Sequence, residues 1–286
     1  MAFLHRWSGL IRPRPGVLWA PQTWIFVFLL GFAFFMFQHL IDRFVYYPMT
    51  YPRGDWDLQE KAGAQDVWLT ARDGIRLHAW WFPNPGARYA TLFLHGNAGN
   101  VTHRVDHARA ISSAGSAVLV IDYRGYGKSS GRPSEHGLAL DAEAGYDELI
   151  RLGYDSSQIV LHGESLGSAV AVQLASFRSC AGLILESPLA SLSDMAATVL
   201  PMIGPLLARG FNTKTSISRV HAPLFVIHGD ADEIVPFAQG QAVFAAAHPP
   251  KHFWAVQTAH HNDLLYVAGD QYIPRLRAFY NSLRTP

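Results

Sequence analysis

The sequence predicts an α/β fold: a mostly parallel, eight-stranded sheet with helices on both faces, preceded by one membrane-spanning helix. Three observations predict it. From Gln65 onward, short continuous apolar runs alternate with helical patterns, as parallel strands buried on both faces do. No internal repeat or low-complexity linker interrupts the alternation. Upstream, one long uncharged apolar segment stands alone.

That segment comes first. No Lys, Arg, Asp or Glu occurs between Arg14 and Asp42, and Trp24 to Phe37 (WIFVFLLGFAFFMF) is entirely apolar or Gly. A helix over 21–41 would be roughly 30 Å long, enough to cross the hydrocarbon core. Pro21 suits a first helical turn, where no amide hydrogen is needed. Trp19 and Trp24 lie near one end, with Tyr46, Tyr47 and Tyr51 past the other, matching the two interfaces. The run ends in QHLIDRFVYYP, without the small-residue cleavage site of a signal peptide. Arg6, Arg12 and Arg14 precede the span, and Arg43 and Arg53 follow it; the balance leans towards a cytoplasmic N-terminus. The expected organisation is a short segment 1–20, a single-pass anchor 21–41, a juxtamembrane linker 42–64 and an extracytoplasmic domain 65–286.

Within the domain, Asp66 to Thr70 and Ile75 to Phe82 flank Asp73-Gly74, a strong hairpin signal. The strand TLFLHG (91–96) leads through a helix over 101–113 to AVLVIDY (117–123). A helix over 137–152 precedes QIVLHG (158–163). Ser165 to Ser176 reads as helix, followed by the strand AGLILES (181–187). PLFVIHG (223–229) and HFWAVQT (252–258) complete the strands, and a helix over 263–283 closes the chain. The stretch between Ser187 and Ala222 is longer than an ordinary connection. It contains the apolar LSDMAATVLPMIGPLLARG and leaves the carboxyl end of a strand, where ligands bind. It reads as a small helical cap over about 188–221.

Composition narrows the function classes. The chain has 286 residues, 49% hydrophobic and 16% charged, enough apolar surface for a sizeable core and too much for a disordered chain. A net charge of +1 without a long run of one sign excludes a nucleic-acid surface. The single cysteine, Cys180, excludes an internal disulfide and a thiol-rich zinc site.

Gly163-Glu164-Ser165-Leu166-Gly167 matches G-x-S-x-G. In that motif the serine occupies a sharp turn between strand and helix, and the flanking glycines let neighbouring backbone approach. The context agrees: QIVLH before it is a buried-strand run, and SAVAVQLAS after it is a helix of small and apolar residues. A serine nucleophile needs a base, and the base an orienting acid. In folds with this turn the chain order is serine, acid, histidine. The acid candidates are Asp230, Asp232 and Glu233 after PLFVI; the base candidates are His260 and His261 after HFWAV. Spacing does not choose among them. The attacked carbonyl also needs two amide donors for its developing charge. Leu166, after the nucleophile, supplies one. The loop His95-Gly96-Asn97-Ala98-Gly99-Asn100 supplies the other, from Asn97 or, second, Ala98.

HGNAGN, DYRGYGKSSG (122–131), GESLGS (163–168), HGDADEIVP (228–236) and His261-Asn262-Asp263 together resemble the α/β-hydrolase superfamily. They look most like its BEM46-like branch, which includes α/β-hydrolase domain-containing proteins 13 and 17. The resemblance covers roughly 65–284 and rests on the order and spacing of five motifs. It implies an α/β-hydrolase fold and often an N-terminal anchor. It also implies Asp232 as the acid and His261 as the base. The chain departs from the pattern at His260, where glycine is usual.

The expected chemistry is acyl transfer to water: Ser165 as nucleophile, His261 as base, Asp232 orienting it, and the amides of Asn97 and Leu166 holding the oxyanion. No cofactor and no metal are needed. The anchor and apolar cap point to a small-molecule or lipid-like acyl ester or thioester; a peptidase or a non-catalytic scaffold are the rivals. His95, His162 and His228 end strands and are expected to pack beneath the site. Asp122, Arg124 and Tyr126 are expected to fix a nearby loop, Cys180 to belong to the core, and His103, Asp106 and His107 to lie on a solvated helix face.

Overall fold

The computed structural model of the chain describes Trp24, Phe28 and residues 45–283 apart from Ile203 and Arg209. Contacts divide the chain into two units, Met1–Ile41 and Asp42–Pro286, and the fold below is that of the second. The expected span 21–41 lies outside the described residues, except for Trp24 and Phe28. Among the described residues no helix is long and apolar enough to cross a membrane.

The apolar runs become eight strands of one sheet. They are β1 (Gln65–Thr70), β2 (Arg76–Phe82), β3 (Tyr89–Leu94), β4 (Ser116–Asp122), β5 (Ile159–Glu164), β6 (Gly182–Glu186), β7 (Leu224–Gly229) and β8 (Lys251–Val256). Their spatial order is β8-β7-β6-β5-β3-β4-β2-β1. β1 and β2 form the hairpin at Asp73-Gly74, with Gly74 at φ +84°. β2 pairs antiparallel with β4, and every later pairing is parallel. Alternate residues feed opposite faces: Leu92, Leu94, Leu119 and Ile121 enter one core, and Phe93, Val118 and Val120 the other.

Helices α1 (Val105–Ala114), α2 (Glu135–Arg151), α3 (Leu166–Ala175), α4 (Leu192–Val199), α5 (Phe237–Ala246), α6 (Leu264–Ala268) and α7 (Tyr272–Ser282) cover the sheet. Ser134 caps α2 by accepting the Gly137 N–H at 3.1 Å. Gly145 lets α2 sit close to the sheet, since a Cβ there would lie 2.8 Å from Leu92. β3 lies between β4 and β5, so the winding reverses there. Such a switch point opens a crevice at the carboxyl ends of the strands. The segments holding Asn97, Ser165, Ser187, Asp232 and His261 all leave from those ends.

Several expectations change. The C-terminal helix is broken into α6 and α7 by Gly269, at φ +49°. Helix α5 has no counterpart in the sequence reading, because Gly240 in its middle weakens the helical signal. That glycine is needed sterically: a Cβ there would lie 2.1 Å from His228 Nδ1. Of the stretch expected as a linker over 42–64, the described part, from residue 45, packs on the domain. Tyr46 is buried in the core, and Tyr47–Pro48 pairs in parallel with Ala98–Gly99. Asn100 Nδ2 donates to the carbonyls of Met49 and Arg53. Of the three tyrosines expected at an interface, Tyr47 and Tyr51 are exposed and Tyr46 is not.

Candidate active site

The strand-to-helix turn after β5 is tight because three residues permit it. A Cβ on Gly163 would lie 2.4 Å from the Gly167 carbonyl oxygen, and one on Gly167 only 1.9 Å from that of Leu94. Between them Ser165 takes φ +50° and ψ −116°, a conformation that costs a non-glycine residue about 1–3 kcal/mol. Its N–H donates to the Glu186 carbonyl at 2.8 Å. The constraint leaves Ser165 half-buried at the N-terminus of α3.

His261, on the loop after β8, meets this serine. Its Nε2 lies 3.0 Å from Ser165 Oγ, and its Nδ1 lies 2.7 Å from Asp232 Oδ2. A carboxylate only accepts, so Nδ1 carries the proton and Nε2 is free to accept from the serine. Asp232 is 8% exposed; its Oδ1 accepts the N–H groups of Ile234 and Val235 at 3.0 and 2.8 Å. Burial would raise its carboxyl, but His228 and His261 beside it, with the Val235 amide, hold it well below the usual carboxylate range.

The other acid and base candidates take different positions. His260 turns outward, its side chain 57% exposed, with Nδ1 3.0 Å from Glu233 Oε2. Asp230 Oδ1 accepts the Thr258 N–H at 2.6 Å and Asp263 Oδ1 the His260 N–H at 2.7 Å. Both brace the loop that carries His261. Thr258 needs such bracing, since it holds φ +62°.

Leu166 opens α3, so its amide has no partner within the helix. Asn97 lies on the facing loop; a Cβ on its neighbour Gly96 would lie 3.5 Å from that of Ser165. Asn97 is tied at two points: its carbonyl accepts from Tyr126 Oη at 2.8 Å, and its Oδ1 accepts the Tyr47 N–H at 3.1 Å. Ala98, the second candidate, is exposed and pairs with Tyr47. Asp122 Oδ1 accepts the Val101 N–H at 2.9 Å, and Arg124 bridges Asp73 and Asp141, so these residues do fix the surrounding loops.

Sequence reading missed a second polar layer. His162 Nε2 lies 2.6 Å from Glu186 Oε1, which also accepts from Tyr272 Oη. His107 Nε2 lies 3.5 Å from Glu186 Oε2. His107 is therefore not on a solvated face; its side chain is 18% exposed. Burial alone would raise the Glu186 carboxyl, but His162 and His107 hold it well below the usual range. Arg104 Nε lies 2.7 Å from Glu164 Oε2. A charged residue ending the apolar run AGLILES was the available signal for Glu186. Among the described residues no cluster of metal-ligating side chains occurs.

An elbow serine after β5, a buried carboxylate after β7 and a histidine after β8, brought together at the carboxyl ends of these strands, define the α/β-hydrolase class. The Pyrococcus furiosus esterase Pf2001 shares the fold, with a TM-score of 0.70 at 22% identity over 84% of this chain and 99% of that one. Residues 86–216 match the family described as serine aminopeptidase, S33. Rv2307c of Mycobacterium tuberculosis is 39% identical over 242 residues, covering 83% of this chain and 86% of its own. Bem46 of Schizosaccharomyces pombe is 31% identical, covering 87% and 90%. The chain belongs to the BEM46-like branch of the α/β hydrolases.

Proposed function

We propose that this hydrolase is a membrane-anchored serine enzyme that cleaves a carboxylic ester or thioester of an acyl or lipid-like substrate. The observation that carries the reading is the hydrogen-bond chain from Ser165 Oγ through His261 to the buried Asp232 carboxylate, at 3.0 and 2.7 Å. Ser165 attacks the carbonyl while His261 Nε2 takes its proton. Asp232 holds the imidazole tautomer and stabilises the imidazolium. The Asn97 and Leu166 amides receive the oxyanion. His261 then protonates the leaving group and activates water against the acyl-enzyme.

The apolar cap, with Leu200 and Met202 exposed, favours an apolar acyl group. The likeness to an esterase favours an oxygen ester. The uncharged run over 21–41 supports a single-pass anchor, and the arginines before it an extracytoplasmic domain. External protease added to spheroplasts tests the orientation: digestion of the domain is expected, and protection until lysis reverses it.

The first experiment is fluorophosphonate labelling of wild type and Ser165→Ala, with p-nitrophenyl butyrate hydrolysis in parallel. Labelling and turnover are expected in the wild type and neither in the variant. An unlabelled, well-folded wild type would sink the proposal. Because the matched family is described as a serine aminopeptidase, p-nitroanilides are assayed alongside; faster turnover of those would move the reading to amides.

A further inference from the structure

The two amides assigned to the oxyanion come from different segments of the chain. Leu166 follows the elbow after β5, and Asn97 lies on the loop after β3. Donors of this kind act only when their positions are fixed before the reaction. Contacts that hold one segment against the other therefore bear on the rate.

Glu164 and Arg104 make such contacts. Glu164 immediately precedes Ser165, and its Oε2 accepts the Gly96 N–H at 3.2 Å. Arg104, just before α1, donates from Nη2 to the Ala98 carbonyl at 3.1 Å. Its Nε lies 2.7 Å from the same Glu164 Oε2. The residues before and after Asn97 are thus each held, and both holds meet in one ion pair next to the nucleophile. The approach is close: a Cβ on Gly96 would lie 3.2 Å from Glu164 Oε1 and 3.5 Å from the Cβ of Ser165.

The charges point the same way. The pair borders a cleft of about 370 Å³ that also reaches His261, Glu186 and Ser187. Among the described residues lining it, Arg104 is the one permanent cation, against the carboxylates of Asp106, Glu164 and Glu186. Glu186 has His162 and His107 beside it, and Asp106 accepts from Tyr266 Oη. Burial would raise the Glu164 carboxyl, but Arg104 and then His107 hold it below the usual range. A carboxylate so near the nucleophile opposes the negative charge that develops on the attacked carbonyl. The Arg104 and Glu164 side chains are 12% and 23% exposed, so solvent screens neither charge fully.

We propose that Arg104 and Glu164 are positioning residues for the reaction: together they lock the Asn97 amide against the elbow, and Arg104 cancels the Glu164 charge that would otherwise oppose the oxyanion. The inference rests on the Ser165–His261–Asp232 reading above. Neither side chain exchanges a proton with the substrate; both act through the loop and through the field at the site.

The test uses the full-length protein in detergent, with p-nitrophenyl butyrate as substrate. Rates are expressed per labelled serine, counted by fluorophosphonate labelling taken to completion, so that misfolded molecules do not enter. Inhibition by an alkyl trifluoromethyl ketone is measured in parallel, because its adduct with Ser165 places an oxyanion at the same amides. Arg104→Met is expected to lower kcat about tenfold or more, to change KM less than about threefold and to weaken the ketone by a matching factor. Arg104→Met/Glu164→Gln is expected to recover at least about threefold of kcat, since the glutamine still accepts from Gly96 but carries no charge. A purely structural role would lower the labelled fraction and leave kcat per labelled serine and ketone affinity unchanged; that result overturns the proposal. A double variant no faster than Arg104→Met overturns the charge cancellation. A folded wild type that is neither labelled nor active overturns the hydrolase reading, and this inference with it.

Discussion

Two adjacent histidines, His260 and His261, separate by the direction of their side chains. Both follow β8 on one short loop, yet one faces Asp232 and Ser165 and the other faces solvent. His261→Ala is expected to lower kcat by about a thousandfold or more. His260→Ala removes only a solvent-screened pair with the exposed Glu233, and should retain most of the activity. Comparable losses in the two variants, measured with a p-nitrophenyl ester, would mean that the pair of histidines is misassigned. The motif Gly163-x-Ser165-x-Gly167 was legible because its glycines are demanded by backbone contacts as short as 1.9 Å for a notional Cβ. The choice among Asp230, Asp232 and Glu233 was not legible from spacing. It depends on which carboxylate the turn after β7 buries, and family resemblance had to stand in for that geometry.

At the scale of elements, polar contacts tie the cap to α2 and α5. Phe211 N–H donates to Glu135 Oε1 at 2.6 Å, and the Ala190 N–H donates to Gln239 Oε1 at 2.9 Å. Gly210, at φ +117°, leaves room for the Glu135 carboxylate. Glu135→Ala should therefore cost about 1–3 kcal/mol and loosen residues 192–216. A lower urea midpoint and faster amide exchange confined to that stretch are the expected readouts; uniform exchange across the domain would contradict it. The strands were legible because each is buried on both faces and so reads as an unbroken apolar run. Residues 47–53 were not, because their place is decided by Asn100 and Gly99 on a distant loop. That short ribbon ties the chain following the expected anchor to the loop that carries Asn97.

For the whole molecule, acid lability follows from buried histidine. His95 is fully buried and its pKa is pushed down to about 4, by burial first and by nearby Arg104 second. An unfolded histidine titrates near 6.5. Between pH 6.5 and 4 the unfolded chain therefore binds a proton that the folded chain refuses, and stability falls as pH drops through that window by roughly 3 kcal/mol. Asp232 and Glu186, both held low, add further loss only below the ordinary carboxylate range. His107 acts in the opposite sense: burial alone would lower it, but Glu186 raises it, so its contribution is lost as pH rises above 6.5. Thermal melts of wild type and His95→Asn from pH 7 to 4 check this. The wild-type melting temperature should fall more steeply, and parallel curves would count against the assignment.

The sequence by itself determined the parallel sheet, the helices other than α5 and the break between α6 and α7, the elbow and the order of serine, acid and histidine. These are properties of local pattern: burial on two faces forces apolar runs, and a tight turn forces glycine. Only the tertiary structure decided which carboxylate meets which histidine, that Glu186 and Ser187 border a polar cleft, and that residues 45–64 belong to the domain. Those outcomes depend on contacts between segments tens of residues apart, and no local pattern encodes the direction in which a loop side chain points.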